Sequence, residues 1–226
     1  MDSSIVKLVY GPLSRVNNYL LYELEPWNVV KVRYIINMQK GGTVLFCLWL
    51  MYYFNNFSAG AWLYMALHGT YGFCWLTKDF AFPDKSFDFY TSLPTIISTF
   101  VILATYWSIP YMQISGLGIQ DPSHIRMALS IALFALGVTW MIGADAQKTF
   151  TLKYRKGLIN DGLFAYTRNP NYLGEIMIYL SFAICTGLTE SYVLLVAIWL
   201  LLFVTRMYSK DQSFSQKKGW KGYQKR

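Results

Sequence analysis

The stretch that decides the reading is Gly157-Leu158-Ile159-Asn160-Asp161-Gly162-Leu163-Phe164-Ala165-Tyr166-Thr167-Arg168-Asn169-Pro170-Asn171-Tyr172-Leu173-Gly174-Glu175, followed by an apolar run to Gly187. It joins a basic, glycine-punctuated loop to a hydrophobic helix with a carboxylate near its start. Pro170 has φ preset near the helical value and no N–H to leave unsatisfied, so it suits the first helical position, with Asn169 as N-cap. The free N–H groups and positive dipole end of such a helix favour anions, and Arg168 beside it adds a bidentate donor suited to phosphate or carboxylate. Asn171, Glu175, Tyr179 and Phe182 follow at steps of four, four and three, so they share one helix face. Gly174 leaves a gap beside them, through which a cofactor or another backbone can approach closely. An ionisable group inside an apolar helix costs several kcal/mol unless it is paired or wet, so Glu175 is expected to face the interior of a bundle.

The rest of the chain sets this helix in a membrane. Of its 226 residues, 54% are hydrophobic, 18% aromatic and only 14% charged, against about 25% charged in soluble domains. The reading is an all-α, polytopic membrane helical bundle. Six transmembrane helices are expected, over residues 41–56, 58–77, 90–110, 124–144, 170–187 and 190–206. Residues 1–40 then form an amphipathic, surface-lying segment ending near Pro26, and residues 207–226 a basic tail. With six spans, the N-terminal, second, fourth and C-terminal connections carry 5, 2, 5 and 7 basic residues, 19 of the 20, and only Arg126 falls opposite. Basic residues gather on the side that is not translocated, so both termini share the cytoplasmic or matrix face. The net charge of +8 is thus a topological signature that also attracts anionic lipid headgroups, and no nucleic-acid partner is expected. Cys47, Cys74 and Cys185 lie singly in apolar spans, which suggests neither a disulfide framework nor a metal site.

Two further groups are candidates for chemistry. His68, Tyr71, Gly72, Trp75 and Asp79 recur at helical spacing on one face of the second span, where they form either a pocket wall or an interfacial, hydrogen-bonded packing face. Asp145, Gln147, Lys148, Lys153, Arg155 and Lys156 fall on the same membrane side as Arg168 and make a cationic mouth, which either phosphates or topology alone would explain. The loop Lys78–Lys85 is expected to pack on this basic face. Gly116-Leu117-Gly118 lacks the strand and third glycine of a dinucleotide fingerprint and has no nucleotide role.

Arg168-Asn169-Pro170-Asn171-Tyr172-Leu173-Gly174-Glu175 resembles the Arg-x-Pro-Asn-Tyr-x-Gly-Glu signature of the steroid 5α-reductase C-terminal and DUF1295-like membrane family. Its relatives are the sterol reductases and the isoprenylcysteine and phospholipid methyltransferases. Gln147, Lys148, Lys153 and the Gly157 to Phe164 pattern also match the reductase-like members. The resemblance implies a nucleotide cofactor, NADPH or alternatively S-adenosylmethionine, held by Arg168, Asn171, Tyr172 and Glu175, with Asp211 and Tyr223 closing the site. For a reductase it implies reduction of a double bond in a membrane lipid or lipid-like substrate. The 5α-reductases also use a Gln-Glu pair and a Tyr in their N-terminal half. This chain has no glutamate between Glu25 and Glu175, which leaves His68 and Tyr71 as the catalytic proton donors. For the methyltransferases, the family's closing Glu-Glu is here Lys210-Asp211, so one carboxylate is lost. A third reading keeps the scaffold without a cofactor, as an accessory subunit with protein partners in a larger membrane assembly. The membrane is expected to be the endoplasmic reticulum or the mitochondrial inner membrane.

Overall fold

A computed structural model describes residues 3–20 and 29–224, and they are helical apart from short connections and one two-residue ribbon. The first helix, α1 (Ser3–Asn18), exposes Leu8, Val9 and Val16 and docks on the C-terminal part of the chain, where the Ser14 and Ser209 hydroxyls meet at 2.6 Å. Residues 3–18 of the expected surface-lying segment are therefore helical and seated on the bundle, while its expected end at Pro26 lies outside the described residues. A strand at Val30–Lys31 pairs antiparallel with Tyr90–Thr91. It leads directly into α2 (Val32–Tyr53), so the first long helix starts at Val32 and not near residue 41. A tight turn with Asn55 in the left-handed region (φ 48°) returns the chain as α3 (Ala59–Ala81), capped where the Ser58 hydroxyl accepts from the Ala61 N–H.

Ser92 caps α4 (Leu93–Ala104), which continues through one tighter turn into α5 (Ser108–Ile114). Then comes α6 (His124–Tyr154), capped where the Ser123 hydroxyl accepts from the Arg126 N–H at 3.3 Å. Pro170 opens α7 (Pro170–Thr186) as its sequence requires, but Asn169 does not cap it. The Asn169 side-chain oxygen accepts instead from Lys210 Nζ at 3.0 Å, because the last long helix passes close enough to claim it. That last helix is α8 (Thr189–Ile198), a wider turn at Trp199–Phe203, and α9 (Val204–Ser215), followed by the short α10 (Trp220–Tyr223). Residues 207–215, expected as a tail, are thus a helical extension of the bundle.

Among the described residues, three helical stretches are long and apolar enough to cross a membrane: Leu93–Ile114, His124–Tyr154 and Thr189–Ser215. The remaining long helices, α2, α3 and α7, also place charged side chains inside the bundle, Lys40, Lys78 and Glu175 among them. α7 is central. Ile178, Tyr179, Phe182, Ala183 and Cys185 are buried along it, so neighbouring helices and not solvent or lipid enclose most of its surface. Its closest neighbour is α6. A Cβ at Gly174 would stand 2.4 Å from the Met141 backbone nitrogen and 2.6 Å from the Gly137 carbonyl oxygen, so the gap at Gly174 is filled by another backbone. At the far end Arg126 donates to the Ile184 carbonyl at 2.6 Å, a cation at a helix C-terminus, which explains the one basic residue that escaped the charge asymmetry.

Close backbone packing of this kind leaves no room to relax. Gly174→Ala is expected to lower stability by about 1–3 kcal/mol, the usual cost of overpacking, whereas Gly222→Ala, where an added methyl meets nothing within 4 Å, should be near neutral. Thermal unfolding of the purified variants in detergent checks this, and equal stability of the two would contradict the packing.

Candidate cofactor and substrate cavity

A cavity of about 450 Å³ opens between α7 and the helices facing it, with walls from α2, α3, α4, α6 and α9 and the loop around Asp84. Pockets of roughly 300–1,000 Å³ are usual for small-molecule ligands. From α7 the cavity takes Asn171, Glu175 and Tyr179, one turn apart. At ~1.5 Å rise per residue these lie ~1.5, 7.5 and 13.5 Å along the helix from Pro170, so a single helix face supplies mouth, middle and inner end.

The mouth is ionic. Lys78 Nζ meets Asp145 Oδ2 at 2.6 Å, and Lys148 Nζ meets Asp84 Oδ2 at 2.6 Å and Asp145 Oδ1 at 3.7 Å. Burial pushes the Asp84 carboxyl up, but the Lys148 charge and hydrogen bonds from Lys148 and Ser86 outweigh it and hold Asp84 well below the usual carboxylate range. The loop Lys78–Lys85 therefore packs on the basic end of α6, as its sequence suggests. Arg206 lies over the Phe87 ring at 5.2 Å and makes no ion pair with a described residue, and Lys210 completes the cationic rim. Among the described lining residues five are basic (Lys40, Lys78, Lys148, Arg206 and Lys210) and three acidic (Asp84, Asp145 and Glu175). The excess is positive.

Two acceptors that α7 places in this setting make no hydrogen bond with a described residue. The buried Asn171 Oδ1 accepts no hydrogen bond, and Glu175 accepts none from a described residue, although Lys40, Lys78 and Arg206 act on it electrostatically. Buried polar groups are nearly always satisfied, so an orphaned carbonyl and an unbonded carboxylate beside Arg206, which makes no ion pair with a described residue, form a set that a polar ligand would complete. The middle of the cavity differs, being walled by Ile36, Ile102, Leu103, Leu202 and Phe203. At the inner end Lys40 Nζ donates to the Tyr179 hydroxyl at 2.6 Å, with Trp75 and Tyr106 alongside.

The residues expected to hold a cofactor divide into two groups. Asn171, Tyr172 and Glu175 line the cavity, with the Tyr172 ring between Lys210 (5.4 Å) and Phe203 (5.0 Å). Arg168, Asp211 and Tyr223 do not. Arg168 is ion-paired with Asp211 and lies over the Trp220 ring at 5.6 Å, while the Tyr223 hydroxyl donates to the Phe164 carbonyl at 3.1 Å. This cluster latches α9 and α10 to the loop before α7. Of the expected cationic mouth, only Asp145 and Lys148 reach the cavity. Gln147 bridges to Asp161 and the Leu163 N–H, and Arg155 pairs with Asp161 at an exposed position.

His68 and Tyr71, expected as proton donors, are not among the lining residues. His68 is buried, stacked on Phe182 at 4.4 Å, with Nδ1 bonded to the Tyr64 hydroxyl at 3.0 Å. Tyr71 is fully buried behind Lys40. Both belong to the packing face that their spacing also allowed, because α7 presses Phe182 and Tyr179 against them. Sequence reasoning missed Lys40, Tyr106, Arg206 and Lys210. The signal for Lys40 was its register with Ile36, Thr43 and Cys47 on one helical face, masked by placing the helix start too late.

The fold and cavity together define an all-helical protein of membrane type, with an internal amphipathic cavity at a carboxylate-bearing helix. Residues 85–226 match the family described as "Protein of unknown function (DUF1295)", and the chain belongs to that family. No curated protein and no solved structure matches it.

The division between latch and cavity is testable by stability alone. Arg168→Ala breaks a half-buried ion pair and should cost about 1–2 kcal/mol, between the values for exposed and buried pairs. Glu175→Gln removes a charge without a hydrogen-bonding partner and should leave stability unchanged or raise it. Thermal unfolding of the two variants at neutral pH in detergent decides, and a larger loss for Glu175→Gln would contradict the assignment.

Proposed function

We propose that the protein is an integral-membrane reductase that uses NADPH to reduce an activated double bond in a lipid-like substrate. One observation carries the proposal: a single cavity joins a cationic mouth with orphaned acceptors to an apolar middle and a hydrogen-bonding inner end. Arg206, Lys210 and Lys148 would meet phosphates at the mouth, with Asn171 and Glu175 accepting from the cofactor's hydrogen-bond donors. A bound nicotinamide would supply a hydride. The chain supplies the rest: an apolar wall to hold a hydrocarbon substrate, ion pairs that fix the rim, and a donor at the inner end. S-adenosylmethionine would find the same acceptors at the mouth, but methyl transfer has no use for that inner donor, and this favours the reductase.

The membrane arrangement follows the same reading. The three apolar stretches, together with α2, α3 and α7, would make six crossings, with basic ends on one side. On the other side Trp49, Tyr52, Tyr53, Phe57, Trp62 and Tyr111 are exposed around the α2–α3 turn, as an interfacial aromatic belt requires.

Purified protein in detergent should be stabilised by NADPH, by ~2.7 kcal/mol at a hundred times the dissociation constant, and should oxidise NADPH when given a long-chain enone. Stabilisation by S-adenosylmethionine alone would replace the reductase with a methyltransferase. No stabilisation by either compound, in folded protein, would favour a scaffold that serves as a subunit of a membrane assembly.

A further inference from the structure

We propose that the inner end of the cavity is an oxyanion subsite, in which Tyr179 hydrogen-bonds and protonates the carbonyl oxygen of an amphiphilic ketone or enone while Lys40 stabilises the resulting phenolate. The chemical step rests on the reductase reading, whereas the binding subsite stands on the geometry. Lys40 begins ~12 Å along α2 from Val32, at the same depth as Tyr179 on α7. Both are buried, they come from positions 139 residues apart, and they are joined at 2.6 Å. Gly72 lets α3 close over this point, since a Cβ there would stand 2.3 Å from the Lys40 carbonyl oxygen.

The direction of the hydrogen bond matters. An ammonium can only donate, so the Tyr179 oxygen accepts, and the hydroxyl proton is left to point at a third atom. Its partners within the protein are the Tyr71 and Tyr106 hydroxyls, so a bound carbonyl oxygen would replace a tyrosine oxygen as the acceptor. Lys40 is in turn held by rings, with Nζ 4.5 Å from the centroid of Tyr71, 5.2 Å from those of Tyr106 and Tyr179, and 5.6 Å from that of Trp75. The cage keeps the charge in place without a carboxylate bound to it, so the cation remains available to a developing negative charge. Such preorganised charge in a water-poor site is the arrangement that stabilises oxyanions. The other titratable groups acting on the pair are Glu175, Lys78, His68, Tyr71 and Tyr106.

For a conjugated enone the electron count closes. A bound nicotinamide would supply the hydride for a C–H bond at the β-carbon, which would move the π electrons to the carbonyl oxygen. The Tyr179 O–H bond breaks as the enol O–H forms. The phenolate left beside Lys40 recovers a proton from water, and the enol tautomerises to the saturated ketone. Tyr179 is then the catalytic residue and Lys40 a positioning and charge-stabilising one. His68, packed on Phe182, takes no part.

A 2-nitrophenol carrying a long alkyl chain tests the subsite without any cofactor, because its visible absorbance reports whether it is ionised. Bound to the full-length protein in detergent, it should ionise at a pH at least one unit lower than in detergent alone, roughly a tenfold shift in acidity. Lys40→Met should abolish the shift, Lys40→Arg should preserve it, and Tyr179→Phe should weaken binding about tenfold through loss of one hydrogen bond. His68→Gln should change none of these. Thermal unfolding establishes that each variant is folded, and if Lys40→Met is not, Lys40→Arg and Tyr179→Phe decide. Failure of the probe to bind, or ionisation unaffected by Lys40→Met in folded protein, would overturn the subsite. A normal ionisation shift with no NADPH oxidation would instead sink the reductase reading alone.

Discussion

The structure depends on the cost of placing a carboxylate, Glu175, on a helix that its neighbours enclose. Moving such a charge from water into a low-dielectric interior costs several kcal/mol even after relaxation, and an apolar replacement is usually at least as stable. The bundle offsets the cost without a direct salt bridge. It leaves a cavity beside Glu175 and distributes Lys40, Lys78 and Arg206 around it, while Asp145 neutralises Lys78. In the proposed function, a ligand in the cavity gives that charge its partner. Stability alone does not call for it.

The same cost orders the helices. α7 can carry Glu175 because α6 seals its back through the Gly137–Gly174 contact, so the carboxylate turns toward the space shared with α2, α4 and α9. α2 carries Lys40 on the opposite wall, and Gly72 brings α3 close enough to enclose it in rings. The latch of Arg168 with Asp211 holds α9 across the mouth, which places Arg206 and Lys210 on the rim. Each feature fixes one wall of the same compartment.

Much of this was legible in the sequence for local reasons. Pro170 set the start of α7, the spacing of Asn171, Glu175 and Tyr179 set its cavity face, and Ser123 marks the start of α6 by its capping chemistry. What failed was tertiary. A lysine reads as a loop residue until the opposing helix supplies a hydroxyl and rings, so sequence alone places Lys40 in the N-terminal segment. Lys78 likewise reads as a loop residue, yet it lies buried within α3 beside Asp145. Arg168 has the chemistry of an anion ligand, but Asp211, 43 residues later, already occupies it. His68 sits at the spacing of a pocket wall, yet it is buried and stacked on Phe182, away from the cavity lining. The family signature located the compartment and left the partners of its members to the fold.

The central claim is that a nucleotide enters this cavity at its basic mouth, and protection of an introduced thiol tests it most directly. Ser213 is exposed and lines the mouth, whereas Ser215, two residues on, is exposed outside it. With Ser213→Cys and Ser215→Cys labelled separately by a polar maleimide, NADPH at a hundred times its dissociation constant should leave ~1% of sites open and slow labelling at position 213 about a hundredfold. Labelling at position 215 should not change. Equal rates at position 213 with and without NADPH, in protein that remains folded, would contradict the claim.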